Sequence, residues 1–371
     1  MTAVVRGFGA LWLGQTVSYI GSSLTSFVLG VWVYQTTGSA TQFAIISIAA
    51  VLPGVLASPF AGVLVDRRDR RRLMLGADLS AGLVTMALAG LLWTDRLQVW
   101  HVFVAAALGA LFSTVHFTAF YAMMPLIVPE KHLGRANGLM QMTQALQIAA
   151  PVLAGALLGT IGLKGVVLID LCTMVVGVSL LAAARLAPDA TAAPGSGERV
   201  TVREDLGHGW RTLRARPGLW QLAVLFGGFN FLFAMAGVLV QPLILSFSSP
   251  ATLGVLMFVG GSGLFVGSIV MSTWGGPKRR VRGIIALLVW GGVALFLHGI
   301  APSAWLIGVV APLFLFTIPI LNGSSMTLIQ TGVPAESLGR VVATTRMIGQ
   351  AAAPVAYVVA GPLADHLAEP A

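Results

Sequence analysis

Four ionisable residues stand inside long apolar stretches of this sequence: Asp78, His116, Asp170 and Arg346. A charge in such surroundings is costly unless it is paired or has a task, so each is a candidate for holding a proton or a ligand. Asp170 is the foremost of them, as a carboxyl removed from water can serve as a proton carrier. His116 could change charge near neutral pH. A single His among Phe117, Thr118 and Phe120 equally suits a polar group satisfied by its neighbours. Asp78 and Arg346 lie near the ends of their stretches, where they can snorkel or join a nearby charge cluster. There is no H-x₃-H pair and no acid–His cluster, so no metal is expected. No nucleophile–base pair and no G-x-x-x-x-G-K-[ST] loop occur, so neither an enzyme nor a phosphate-loop ATPase is indicated. No cofactor is implied.

The densest charge lies in GVLVDRRDRRRL, residues 62–73. Five arginines fill the positions from Arg67 to Arg72, interrupted only by Asp69 and preceded by Asp66. Uncharged polar residues form a second pattern. Asn137, Gln141, Gln144 and Gln147 fall within about 120° of arc at roughly 100° per residue. A polar stripe of this kind faces either neighbouring helices or a water-filled cavity. Gln15, Tyr19, Asn230 and Gln241 are weaker candidates for the same lining. Amides, aromatics and methionines with few charges suit a bulky amphipathic small molecule rather than a small ion.

The elements that position these residues follow from composition. Hydrophobic residues make up 57% of the chain and charged residues 9%, where a soluble domain has roughly a quarter charged. The mean hydropathy is +0.89. Such a chain has lipid as its main solvent. A bilayer-crossing helix needs about 20 apolar residues. Eleven segments qualify, near 8–35, 41–65, 73–94, 99–127, 136–162, 165–187, 219–246, 251–274, 283–300, 303–328 and 338–363. None alternates as a barrel strand would. The fold class is therefore all-α and polytopic. With the N-terminus in the cytoplasm, only Arg96 and Lys164 of the 22 basic residues fall in outside connections. Arg346 lies within a span and the rest are inside, as the positive-inside rule requires. The net charge of +9 thus reflects topology rather than nucleic-acid binding. The first apolar stretch is too long for a cleavable signal peptide. The one cysteine, Cys172, excludes an internal disulfide.

VPEKHLGR (128–135) recurs as VPAESLGR (333–340), and each copy precedes a span with Ala-Pro-Val, at Pro151 and Pro354. GGPKRRVRG (275–283) is a weaker echo of the arginine-rich stretch. The reading is a six-helix half over 1–187, a linker over 188–217 and a second half over 218–371. Val202, Leu206, Trp210 and Leu213 give the linker an amphipathic helix expected on the inner membrane surface. The same offset places the start of a twelfth span at residue 370, so the second half is expected to be one helix short.

G-x-L-x-D-R-x-x-R-R, from Gly62 to Arg71, resembles motif A of the major facilitator superfamily. Asp69 stands where many members have Gly. Together with the opening WLGQTVSYIGSSLTS and the linker REDLGHGWRTLRARPGLWQL, it is similar to the branch of macrolide efflux proteins and enterobactin-type siderophore exporters. LQIAAPVLAG (146–155) resembles the exporter signature of span five, with Pro151 and Gly155 kept and Ala150 and Ala154 in place of glycines. The resemblance implies two pseudo-symmetric halves working by alternating access. It implies a gate of Gly62, Asp66, Arg67, Arg70 and Arg71 opposed by Arg340 at the start of span eleven. The expected activity is proton-driven efflux of a macrolide-like drug, siderophore or peptide natural product, by a monomer in a bacterial inner membrane. A nutrient importer and an inactive truncated transporter are the alternatives.

Overall fold

The structure, a computed structural model, describes residues 3–38, 40–184, 202–300 and 303–367. Within them it contains helices and no strand. In chain order these are α1 (Ala3–Thr37), α2 (Ala40–Arg67), α3 (Arg70–Trp93), α4 (Val99–Ile127) and α5 (Glu130–Ala183). They are followed by α6 (Val202–Arg214), α7 (Pro217–Phe247), α8 (Pro250–Trp274), α9 (Arg280–Ile300), α10 (Ala304–Gly332) and α11 (Leu338–Leu367). The long α5 holds two arms. It breaks at Gly162, whose φ of 67° lies in the left-handed region that glycine enters without a Cβ penalty.

Nine stretches among the described residues are long and apolar enough to cross a membrane. The chain is a multi-pass membrane protein. Large apolar side chains such as Leu56, Val152 and Phe258 point outward, as lipid-facing positions do. The first arm of α5 and α11 complete the eleven segments read from the sequence; they are helical but fall outside the nine. These two carry the polar residues Asn137, Gln141 and Gln144, and Arg340 and Arg346. The early part of the linker, ATAAPGSGER, lies outside the described residues, as do the side chains of Pro151, Gln241 and Pro354.

By contact the chain divides into two compact units. One gathers Met1–Glu130, Leu146–Trp210 and Val333–Thr344; the other gathers Lys131–Ala145, Arg211–Gly332 and Thr345–Ala371. The first unit thus includes the opening turns of α11, and the second the opening turns of α5. The packing plan repeats between them. α2 and α3 pack on α4 in the first, and α8 and α9 pack on α10 in the second. Small residues make the closest of these contacts, because helices in lipid associate through close backbone approach. A side chain at Gly54 would strike Ala110 and Thr114, and one at Gly263 or Gly267 would strike the carbonyls of Pro312 or Phe316.

The small residues of the span-five signature divide. Gly155 is exposed with open space beside it, so it makes no close helix contact. The packing positions are Ala150 and Ala154, which are buried against Leu24, Val28 and Val166. Gly155 lies one residue from Ala154, about 100° around the helix, and turns away from that contact.

Candidate functional site

The arginine-rich stretch spans the end of α2 and the start of α3. Asp66 sits in the last turn of α2 and is 6% exposed. Its Oδ1 accepts from the Gly339 N–H at 2.9 Å, and its Oδ2 from the Arg340 N–H at 3.0 Å and Arg340 Nε at 2.9 Å. Gly339 and Arg340 are in the first turn of α11, which begins at Leu338. The N–H groups there have no partner within the helix, and the helix dipole adds partial positive charge. One carboxylate therefore caps a helix and closes an ion pair at once. Gly62, one turn earlier on α2, lets the two backbones meet: a Cβ there would lie 2.9 Å from Arg340 Cα and from Ala343 Cβ. Ser58, a further turn back, donates to the Ala343 carbonyl at 3.0 Å. Arg340 also donates to the Glu336 carbonyl.

The arginines divide by role. Arg70 is 1% exposed and donates to the Ala335 carbonyl at 2.9 Å, fastening the approach to α11. Arg71 donates to the Ala182 carbonyl at the end of α5. Arg67, Arg68 and Arg72 are exposed. Asp69 is the N-cap of α3, accepting from the Arg72 N–H at 2.7 Å. This local task is filled well by Asp and poorly by most other residues. Gly209 of α6 lies against the Arg340 carbonyl and the Thr344 hydroxyl. The linker helix is therefore seated on α11 through this glycine.

Also in the first unit is a cavity of about 550 Å³, bounded by α1 to α5. It contains Gln15, Tyr19, Asp78, His116, Gln147 and Asp170. His116 Nδ1 is 2.6 Å from Asp78 Oδ1, and Gln15 Nε2 donates to Asp78 Oδ2 at 3.4 Å. The Tyr19 ring stands edge-on to His116, with centroids 5.6 Å apart. His116 Nε2 is buried without a hydrogen-bond partner among the described residues. Two expectations are corrected here. Asp78 does not join the Asp66 cluster, since it lies eight residues past Arg70, about 12 Å along α3. His116 is not a solitary polar group; it forms an acid–imidazole pair that sequence separation conceals. Asp170, 3% exposed, accepts from the Ser22 hydroxyl at 3.0 Å. Gly21 allows this, because a Cβ on it would come within 3.1 Å of the Asp170 backbone.

The amide stripe of α5 is split. Asn137, in the second unit, donates to Thr327 Oγ1 at 3.0 Å and Gln330 Oε1 at 2.7 Å on α10. Gln141 accepts from Asn322 Nδ2 at 3.3 Å. These two amides hold helices together, so the stripe is not a continuous cavity lining. Gln144 is half-buried, and Gln147 alone of the four lines the cavity. Asn230 belongs to the second unit and donates to the Phe226 carbonyl at 2.8 Å. Arg346 is half-buried and belongs to the second unit. Among the described residues no cluster of His, Cys, Asp and Glu could hold a metal ion. Sequence reasoning missed Ser22, Ser58, Gly339, Asn322, Thr327 and Gln330. Gly339 carried a signal, as the glycine shared by both copies of the repeat.

The chain is similar to known proteins in sequence and in fold. The chain is 27% identical to macrolide efflux protein A of Streptococcus pyogenes, over 97% of this chain and 90% of that one. It is 29% identical to the multidrug efflux pump Tap of Mycobacterium tuberculosis, over 97% and 88%. In fold it is similar to the human organic anion transporter MFSD10, with a TM-score of 0.78 at 16% identity, covering 98% of this chain and 94% of that one. A bacterial homologue of the iron transporter ferroportin in its outward-facing state gives 0.76 at 17%, covering 98% and 93%. The family model for the Major Facilitator Superfamily matches residues 11–357, and the chain belongs to that superfamily.

Proposed function

We propose that this protein is a secondary efflux transporter that expels a bulky amphipathic small molecule, driven by protons moving inward. The observation that carries the reading is the cavity of about 550 Å³ holding both amphipathic lining and buried ionisable groups. Its volume falls in the range of small-molecule sites, about 300–1,000 Å³. The macrolide and multidrug efflux relatives support export. Macrolide-like drugs, siderophores and peptide natural products are the substrate classes considered. Alternating access needs a contact that breaks and remakes. The Asp66 junction suits that task, because displacing one carboxylate releases three bonds together and protonating it removes the charge that meets Arg340. Asp78, His116 and Asp170 are the coupling candidates in the cavity. The protein lies in a bacterial inner membrane with its N-terminus inside, works as a monomer and makes no covalent intermediate.

Everted membrane vesicles test this. An acidic lumen should drive accumulation of ethidium or a labelled macrolide, and nigericin should abolish it. Accumulation that survives collapse of the pH gradient removes proton antiport. Gradient-driven movement out of the lumen favours import.

A further inference from the structure

The two cavity carboxylates differ in what faces them. Asp78 is met by His116 at 2.6 Å and by Gln15 at 3.4 Å. Asp170 is met by hydroxyls only: Ser22 at 3.0 Å, with Thr25 alongside. No Lys or Arg is among the described lining residues, and Tyr19 and His116 are the remaining titratable groups facing the space. Ser22 is seven residues beyond Gln15 on α1, about 10 Å along that helix, so the two carboxylates meet α1 about two turns apart. Between and around them are apolar side chains, including Phe27, Phe112 and Met174. A buried carboxylate is stable when a positive charge meets it. Among the cavity residues Asp78 has the His116 imidazole in reach, and Asp170 has hydroxyls and no cationic side chain.

We infer that Asp170 is the counter-ion for a lipophilic monocation, an amphipathic amine in its protonated form, bound in this cavity. The ligand's apolar body packs against the aromatic and aliphatic wall, and its charge supplies what Asp170 lacks. Ser22 orients the carboxylate, and Gly21 brings α1 close enough for it to do so. As a statement about transported substrate, the inference rests on the efflux reading. As a statement about binding, it stands apart from it.

The test is equilibrium dialysis on the purified full chain in nanodiscs, without any gradient. Tetraphenylphosphonium, a permanent cation, is compared with neutral triphenylphosphine oxide. Truncating one partner of a buried charge pair should weaken cation binding about thirtyfold in Asp170→Asn and leave the neutral probe unchanged. Asp170→Glu should keep the preference for the cation. Asp69→Asn, which removes a carboxylate outside the cavity, should match the wild type. If Asp170→Asn does not fold, Ser22→Ala carries the test: it should weaken the cation about threefold and spare the neutral probe. Equal affinity of the wild type for both probes overturns the inference. So does a preference kept in Asp170→Asn and lost in Asp78→Asn. Cation-selective binding with no vesicle transport would retain the site and remove the efflux reading. Transport with charge-blind binding would do the reverse.

Discussion

The repeated octapeptide meets a helical turn in both units, and the two junctions are built differently. VPAESLGR places Gly339 on the Asp66 carboxylate, with three hydrogen bonds between 2.9 and 3.0 Å. VPEKHLGR places the equivalent Gly134 on the backbone carbonyl of Gly275, so a residue without a side chain stands where the first junction has Asp66. One turn on, Gly138 lies against the backbone of Met271 and Ser272, as Ala343 lies against Gly62. Gly275 and the adjacent Gly276 adopt φ of 87° and 86°, which ends α8 in a left-handed cap. The first junction is made by one carboxylate, which closes an ion pair and two backbone N–H bonds. The second is made by close backbone contact, with Arg280 donating to the Gly275 carbonyl at 3.4 Å and no carboxylate in the place of Asp66.

The largest effect should come from Asp66→Ala. It leaves the α11 N–H groups without their acceptor and Arg340 without its carboxylate. Breaking a buried pair of this kind costs about 3–5 kcal/mol. Melting in detergent should shift down strongly, and vesicle efflux should fall to background. Asp66→Asn separates the two roles, because its amide oxygen can still accept one N–H while the charge is gone. Unchanged efflux in Asp66→Asn would show that capping, and not charge, is what the first junction needs.

Gly138→Val attacks the second junction by shape. Its side chain would enter the backbone of Met271 and Ser272, at a cost of about 1–3 kcal/mol for overpacking. The melting shift should be the same at pH 6 and pH 8, and that insensitivity is the point of contrast. A shift that changed between those values would mean the second junction also contains a group that titrates.

Asn137→Ala tests the amides that brace the second unit. Asn137 is 1% exposed and links α5 to Thr327 and Gln330. Interhelical hydrogen bonds in membranes are worth about 0.6–2 kcal/mol. Two bonds at the average of about 0.6 kcal/mol each give an expected loss near the lower end of that for Gly138→Val, read as a smaller drop in melting temperature. Efflux should survive, slowed rather than abolished. A loss as large as that of Asp66→Ala would place the transport-critical contact in the amide cluster instead.

What the sequence disclosed depends on the range of the interaction. Spans were legible because twenty apolar residues are a local property, and the first-junction motif because its spacing lies within ten residues. Pairing across helices was not. Asp78 and His116 are 38 residues apart, and nothing in either neighbourhood marks the other. The α5 stripe was legible as a polar face, but not its division between α10 and the cavity, which depends on what packs opposite. Asp170 was legible as a buried acid; the α1 hydroxyl and the glycine that admit it were not.

Asp69→Ala is the smallest change and bounds the comparison from below. By resemblance Asp69 marks a branch of exporters, yet in the fold it caps α3 through Arg72 N–H. An N-cap is worth about 0.5–2 kcal/mol against Ala and only a few tenths against Gly. The second unit manages the equivalent turn with glycines and a proline. Asp69→Gly should therefore be close to silent in melting, and Asp69→Ala should cost about 1 kcal/mol. Neither should alter efflux, because the bonds of Asp66 to α11 do not pass through Asp69. Should Asp69→Gly reduce efflux without moving the melting temperature, the residue would belong to the switch itself. The charge-dependent junction would then extend a full turn beyond Asp66.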